Sequence, residues 1–217
     1  MADATPRGPC TYVLAGTNGA GKSSIGGAMF LQAGVEYFNP DEAARLILAR
    51  NPGLSQADAN SGAWQQGRRL LERAIAERQT FAFETTLGGN TITALLERAL
   101  ASGLAVRMWY AGLNGADLHI ARVRARVARG GHDIPAEQVR ARYDSSRLNL
   151  IRLLPKLTEL RVYDNSAEAD PHAGVAPEPR LVLHMLSGKI VRLCALSQTL
   201  EWAKPILAAA MKVSAAR

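Results

Sequence analysis

Short apolar runs alternate along this chain with longer segments in which apolar residues recur at helical spacing. The run TYVLAG (11–16) is β-rich and is stopped by a glycine, which predicts a buried strand. By the same reasoning, the sequence predicts further strands in VEYF (35–38), TFAFETTL (80–87), AVRMWYAGL (105–113) and ELRVYDNS (159–166). In LVLHMLSGKIVRLC (181–194) a Ser-Gly pair separates two apolar runs, and this pattern predicts a β-hairpin.

Helical periodicity fills most of the segments between these strands. The sequence predicts helices at about 22–33, 40–50, 55–78, 91–102 and 196–212, and more helix within 114–153. In the segment 55–78, one buried face is predicted to hold Trp64, Leu70, Leu71, Ala74 and Ile75. Strands that alternate with helices favour a mostly parallel sheet covered on both faces, so the predicted fold class is α/β.

The size of the chain fits one domain. Its 217 residues are 47% hydrophobic, which allows a sizeable core, and we predict a single domain over 1–217. The segment 114–153 is helical in pattern but is interrupted by RGGHDIP at 129–135. We predict that it forms a lid or arm on that domain. The chain is predicted to end in the β-hairpin and a last helix.

The net formal charge of +7 is concentrated in the predicted lid. Eight arginines lie between His119 and Arg152, against the acids Asp133, Glu137 and Asp144. An arginine bias can reflect GC-rich coding, but a local cluster of positive charge attracts anions such as phosphates. Nucleic acid is one candidate ligand among several.

The two cysteines, Cys10 and Cys194, are far apart and lie in apolar runs, so we expect reduced thiols in the core and no zinc site. The N-terminal MADATPRGPC lacks the pattern of a signal peptide, and no apolar stretch is long enough to cross a bilayer. We therefore expect a cytoplasmic protein without a membrane partner.

A phosphate-binding motif follows the first predicted strand. GTNGAGKS fits G-x-x-x-x-G-K-[ST] between a strand and a helix, the context in which this loop cradles nucleotide phosphates. Lys22 is predicted to contact the β- and γ-phosphates, and the Ser23 hydroxyl is predicted to ligate Mg²⁺. The motif thus predicts ATP and Mg²⁺ as ligands. The predicted nucleotide-binding residues of the loop are Gly16, Thr17, Asn18, Gly19, Ala20, Gly21, Lys22, Ser23 and Ser24.

Further motifs narrow the class of phosphate-loop protein. The N-K-x-D of GTPases is absent, and MLSGK (185–189) lies too late in the chain for an ABC-type ATPase. A small chain with an arginine-rich segment late in the fold favours a phosphotransferase with a lid, in which positioning and charge neutralisation supply most of the catalysis.

Four motifs together resemble the zeta-toxin family of P-loop kinases, in particular its chromosomal branch. They are GTNGAGKSS, FNPDEAA, FETTL and RGGHDIP…RARYDSSRLNL, and the resemblance runs from about Tyr12 to Ser166. It implies a nucleotide-kinase-like parallel sheet. It also implies ATP-dependent phosphorylation of a small-molecule hydroxyl, as in the nucleotide-sugar UDP-N-acetylglucosamine, and a small antitoxin protein as partner.

The resemblance also implies roles for residues outside the phosphate loop. Asp41 matches the catalytic aspartate that takes the proton from the acceptor hydroxyl and contacts the acceptor, although by position it could instead cap the following helix. Glu84 and Thr86 match the acceptor-binding pair, although Glu84 could instead form a structural pair with an arginine. This chain has Asn-Pro-Asp and Thr85 where the toxins have an Asp-rich turn and glycine. A further acceptor-binding acid has no clear match in WQQGRRLL.

Lid residues complete the predicted site. Arg129 and Arg142 are thirteen positions apart, like two catalytic arginines that the family uses to bridge the phosphates, and Arg126 lies one helical turn before Arg129 and is predicted to share ATP binding. For His132 we prefer a turn or hinge role to that of a general base. YDNS (163–166) is interpreted either as a contact to the adenine base or as a capped turn.

Two alternative functions stay open from the sequence. One is a polynucleotide or nucleoside 5′-hydroxyl kinase, with the arginine cluster as a backbone groove. The other is a nucleotide-gated regulatory ATPase. Few aromatic residues accompany the arginines to stack on exposed bases, so nucleic acid is the less favoured acceptor.

Overall fold

A seven-stranded sheet forms the centre of the protein in this computed structural model, which describes residues 8–22, 25–26, 37–167 and 178–217. The strands are β1 (Cys10–Ala15), β2 (Tyr37–Phe38), β3 (Phe81–Thr85), β4 (Ala105–Gly112), β5 (Glu159–Asp164), β6 (Arg180–Leu186) and β7 (Lys189–Leu193). Their order is β2-β3-β1-β4-β5-β6-β7. The first five are parallel, whereas β6 and β7 form the predicted C-terminal hairpin and pair antiparallel. The α/β prediction is confirmed.

Helices connect the strands in the predicted order. They are α1 (Pro40–Arg50), α2 (Gln56–Ala76), α3 (Asn90–Ala101), α4 (Ala116–Val127), α5 (Ala136–Leu153) and α6 (Lys204–Ala215). Of the helix predicted at 22–33, the described residues Lys22, Ile25 and Gly26 are helical. The prediction for the last helix was wrong at its start. Leu196–Gln198 form a separate 3₁₀ turn, and α6 begins at Lys204 with Pro205 in its first turn, where the missing N–H is tolerated.

The two faces of the sheet form different cores. On one face, helices α2, α3, α5 and α6 bury leucines and isoleucines against alternate strand residues such as Val13, Met108 and Val162. On the other face, Tyr12, Leu14 and Trp109 form a second cluster, which includes residues of the loop and helix after β1. Because both faces of the sheet are covered, every residue of β1 is buried, and the strand sequence is a continuous apolar run without alternation.

The predicted lid segment contains α4 and α5 and has a small core of its own. Ile120 and Val123 of α4 pack against Ile134 and Val139 across the turn that joins the two helices. Both helices lie after β4, which is next to β1 in the sheet. After β1 the chain forms β2 and β3 on one side of β1, and it then crosses to form β4 on the other side. In open α/β sheets, ligands bind at the carboxyl ends of the strands where the strand order reverses in this way. The carboxyl end of β1 is such a point. That a lid of these residues moves, and that 1–217 folds as one domain, remain predictions.

Candidate active site

The loop that follows β1 turns sharply at three glycines. Gly16, Gly19 and Gly21 have φ angles of 140°, 80° and 75°, a backbone region that residues with a Cβ rarely adopt. A Cβ on Gly16 would also collide with the backbone of Ala111 in β4. A glycine-dependent turn at the start of a helix is the arrangement that places backbone N–H groups around phosphate oxygens.

Lys22 lies inside this loop and is 7% exposed. Its Nζ donates to the carbonyl oxygens of Gly16 at 2.8 Å and Thr17 at 3.4 Å. The same ammonium lies 3.6 Å from a carboxylate oxygen of Glu84 at the end of β3. Its charge is therefore held at the centre of the loop by groups of the protein itself. Ser23 and Ser24, the predicted metal ligand and its neighbour, lie outside the described residues.

A cleft of about 620 Å³ opens beside the phosphate loop at the carboxyl ends of β2 and β3. Its walls come from the loop itself, from α1 and α2, from the ends of β2 and β3, and from the lid. Five residues predicted for the site line this cleft: Asn18, Asp41, Glu84, Thr86 and Arg142. The fold therefore brings the phosphate loop, the predicted base, the predicted acceptor-binding residues and one lid arginine to a single cavity.

Asp41 does not cap helix α1. The side-chain oxygen of Asn39 performs that role, because it accepts hydrogen bonds from the backbone N–H groups of Asp41 at 2.9 Å and Glu42 at 3.4 Å. The Asp41 carboxylate lies 3.5 Å from Nη1 of Arg126 across the cleft. It is half-exposed and thus accessible to a ligand.

Glu84 and Thr86 take different roles at the end of β3. Glu84 is 11% exposed, and its Oε2 is buried without a hydrogen-bond partner among the described residues. A buried carboxylate oxygen that lacks a donor is costly, so this atom is suited to an O–H or N–H group of a ligand. The structural partner of Glu84 is Lys22 and not an arginine. The Thr86 hydroxyl accepts from the N–H of Gly88 at 3.4 Å.

The three predicted lid arginines are placed differently. Arg142 on α5 lines the cleft, donates to the side chain of Asn18 at 2.8 Å, and has its pKa lowered by burial. Arg126 on α4 contacts Asp41 and donates to the carbonyl of His132 at 3.2 Å. Arg129 follows the end of α4, is exposed, and does not belong to the cleft lining. The structure therefore places Arg142 in the cleft lining and Arg126 against Asp41, which lines the cleft, and it leaves Arg129 exposed at the end of α4.

Two other segments that the sequence singled out lie around the site. His132 lines the cleft, in the turn between the lid helices. In YDNS, the amide of Asn165 donates to the carbonyl of Ala20 at 2.9 Å and packs against Gly21, so it supports the phosphate loop from behind. Ser166 donates to Asp164 at 2.5 Å and accepts from the N–H of Asn114 at 2.8 Å. These contacts match the capped-turn interpretation of this segment.

Sequence reasoning missed two residues of the site. His119 on α4 is 1% exposed, and its Nδ1 lies 2.8 Å from the carbonyl oxygen of Asn18. Burial lowers the pKa of His119 to about 4, so the ring is neutral at pH 7. Trp64 was predicted to belong to the buried face of α2, and this was wrong: it is 45% exposed and lines the cleft, with Arg68 over its ring. Apolar spacing locates a face of a helix, but a cleft wall and a core face share that spacing.

Comparison with known proteins places the chain in a family. No protein-family model matches it. An uncharacterised protein of Haemophilus influenzae is 36% identical over 129 residues, which cover 59% of this chain and 88% of that protein. The chain belongs to the same family as this Haemophilus protein.

Solved structures show the fold. The AvrRxo1-ORF1:ORF2 complexes, determined with ATP and with sulphate ions, match at a TM-score of 0.64 with 16% identity over 95% of this chain. The chain spans 64% of the length of that relative. The PezAT toxin–antitoxin structure of Streptococcus pneumoniae matches at a TM-score of 0.55 with 13% identity, and covers 96% of this chain and 87% of that one. The chain thus has the fold of P-loop kinases. The structural similarity is shared between the zeta-toxin branch and other P-loop kinases, so it does not select that branch.

Proposed function

We propose that this protein is an ATP-dependent phosphotransferase that phosphorylates a hydroxyl group of a small molecule bound in the cleft. The observation that carries the proposal is that one cavity is lined both by the phosphate loop, through Asn18, and by the carboxylates Asp41 and Glu84. A regulatory ATPase needs the loop, but it has no need for a roomy cavity with carboxylates beside it. The zeta-toxin resemblance supports a nucleotide-sugar such as UDP-N-acetylglucosamine as the acceptor.

The described residues fit ATP. The loop has the required glycines, Lys22 lies within it, and Arg142 adds a partly buried cation that forms no ion pair within the described part of the chain. No cluster of three His, Cys, Asp or Glu side chains suited to a metal exists among the described residues. Magnesium in such sites needs few protein ligands, because the phosphates and waters supply the others, so Ser23 is a sufficient predicted ligand.

Each side chain then has a defined task. Bound Mg-ATP supplies the γ-phosphoryl group, and Lys22 and Arg142 neutralise the charge on its oxygens. Asp41 accepts the proton of the acceptor hydroxyl, and Arg126 keeps that carboxylate oriented. The unpartnered Oε2 of Glu84 accepts a hydrogen bond from another group of the acceptor. In this arrangement, the cleft would hold an acceptor oxygen beside the phosphate chain.

A small antitoxin protein is the partner that this proposal implies. It is supported by the fold shared with PezAT, a toxin–antitoxin system, and with AvrRxo1-ORF1, which was determined in complex with ORF2. Among the described residues, no helix combines the length and apolar character that a membrane span requires.

The test is a mass-spectrometric screen of a metabolite pool that is incubated with the protein and Mg-ATP. We expect one or a few species to gain the mass of a phosphoryl group, and calorimetry to show Mg-ATP binding. ATP hydrolysis that proceeds without any phosphorylated product would favour the regulatory ATPase. In a parallel incubation with oligonucleotides, phosphoryl transfer to their 5′ ends, with no phosphorylated small molecule in the screen, would favour the nucleic-acid kinase.

A further inference from the structure

Asn18, at the tip of the phosphate loop, contacts both lid helices. Its backbone carbonyl lies 2.8 Å from Nδ1 of His119 on α4, and its side-chain Oδ1 accepts from Nη1 of Arg142 on α5, also at 2.8 Å. A carbonyl oxygen can only accept, so Nδ1 of His119 carries the proton. Asn18 is 8% exposed; its hydrogen bond to His119 is buried, and its hydrogen bond to Arg142 is partly buried.

Neighbouring residues of the loop strengthen both connections. The hydroxyl of Thr17 donates to the backbone carbonyl of Arg142 at 3.4 Å. On the other side, a Cβ on Gly19 would lie 2.6 Å from the carbonyl oxygen of His119, so loop and helix meet backbone to backbone there. Both lid helices therefore rest directly on the loop.

The hydrogen bond that Arg142 donates to Asn18 does not neutralise the charge of the arginine. The asparagine amide is neutral, and Asp41, the carboxylate that acts on Arg142 electrostatically, forms its ion pair with Arg126. Burial lowers the pKa of Arg142, which means that its charged form lacks part of its hydration. The guanidinium gives one N–H group to Asn18 and keeps the others for a planar, forked contact with phosphate oxygens. A phosphate bound in the loop would meet a cation that is already oriented.

We propose that Asn18 is a positioning residue that couples the phosphate loop to the lid and orients Arg142 toward the phosphates. The loop thereby fixes the position of the arginine before the nucleotide binds, and α4 is held in the same arrangement through His119. The inference rests on the proposed nucleotide binding, and it assigns the coupling to a position that the phosphate-loop motif leaves variable.

A double-mutant cycle on Mg-ATP affinity tests the coupling. Asn18→Ala keeps the backbone carbonyl and removes the contact to Arg142, so we expect calorimetry to show roughly tenfold weaker binding, as for a lost hydrogen bond to a charged group. In the Arg142→Ala background the same substitution should change affinity less than about twofold. An asparagine that only shapes the loop would weaken binding by the same factor in both backgrounds, and that result would overturn the proposal. Asn114→Ala, at an exposed position, is the control.

A second measurement needs no nucleotide. Amide hydrogen exchange of residues 136–146 should rise by about threefold or more in Asn18→Ala and stay unchanged in Asn114→Ala. Unchanged exchange in a folded Asn18→Ala protein would overturn the coupling. If the native protein failed to bind Mg-ATP, the proposed function would fall, while the exchange data would still decide whether the loop holds the lid.

Discussion

Lys22 and Glu84 form an ion pair between the phosphate loop and the end of β3, with 3.6 Å between Nζ and Oε1 and side chains that are 7% and 11% exposed. The lysine belongs to the phosphate loop and the glutamate to the end of the neighbouring strand β3. The pair connects the predicted nucleotide site to the predicted acceptor site. Each residue consequently has a structural role in addition to its role toward a ligand.

Lys22→Met should therefore change two properties. Loss of the ammonium removes the charge that faces the phosphates, so Mg-ATP affinity should fall by roughly 100-fold in calorimetry. The variant should also lose about 3 kcal/mol of unfolding free energy, because Glu84 is left as an uncompensated buried charge. In Lys22→Met/Glu84→Gln, stability should recover while ATP affinity does not. Native ATP affinity in either variant would contradict the role of the loop.

The three lid arginines should contribute unequally to turnover, according to their positions. Arg142→Ala should lower turnover by about 10²- to 10³-fold, since it removes a partly buried cation from the cleft. Arg126→Ala should have a smaller effect, because it acts through the orientation of Asp41. Arg129→Ala should stay within about twofold of the native rate, as is usual for exposed residues outside a site. Equal losses in all three variants would point to a diffuse electrostatic surface and to nucleic acid as acceptor.

The different positions of these arginines illustrate which features of the protein could be predicted from the sequence and which could not. The phosphate loop and most strands and helices were predictable, because glycine, the Lys-Ser pair and apolar periodicity are local signals. Helix α4, however, ends at Val127, and Gly130 follows with φ at 89°. Arg126 thus stays on the helical face toward Asp41, whereas Arg129 lies beyond the end of the helix. Motif spacing alone could not show where the helix stops.

Contacts between distant segments were not predictable for a related reason. His119 and Asn18 are separated by 101 positions, and their contact depends on how α4 packs against the loop after β1. A histidine between two apolar residues on a helix gives no sign of such a partner. The cap of α1 depends, in contrast, on a local contact, in which the Asn39 side chain accepts from the N–H groups of Asp41 and Glu42.

Burial of His119 predicts a pH dependence of stability. Its pKa is lowered from 6.5 to about 4, chiefly by desolvation, so between these values the unfolded chain binds more protons than the folded one. The free energy of unfolding should fall as the pH drops below about 6.5, and the full cost is about 3 kcal/mol below pH 4. Urea denaturation of the native protein and of His119→Asn, which keeps an N–H donor but does not titrate, should give curves that diverge from pH 7 to pH 4.5. Parallel curves would show that folding does not shift the pKa of His119.

Trp64 should contribute to the binding of the acceptor and not to the binding of ATP. It is 45% exposed on the cleft wall, whereas Trp109 and Trp202 are 7% and 2% exposed. Trp64→Ala should therefore leave thermal stability and ATP affinity nearly unchanged. The KM for the acceptor found by the metabolite screen should rise by roughly tenfold, the loss typical of one aromatic contact. Leu148→Ala, at an exposed position outside the cleft lining, serves as the control. An unchanged KM would place the acceptor on another part of the wall.

Asp41→Asn separates chemistry from binding. Asparagine preserves the shape and much of the hydrogen bonding of the aspartate, but it does not serve as a base. ATP affinity should survive, because Asp41 makes no contact with the phosphate loop within the described residues and α1 keeps its cap at Asn39. Phosphoryl transfer to the identified acceptor should fall by roughly 10²- to 10⁴-fold, as expected for the loss of a general base. Transfer at the native rate would exclude Asp41 as the base, whereas loss of both ATP binding and transfer would indicate that Asp41 and Arg126 chiefly hold the lid in place.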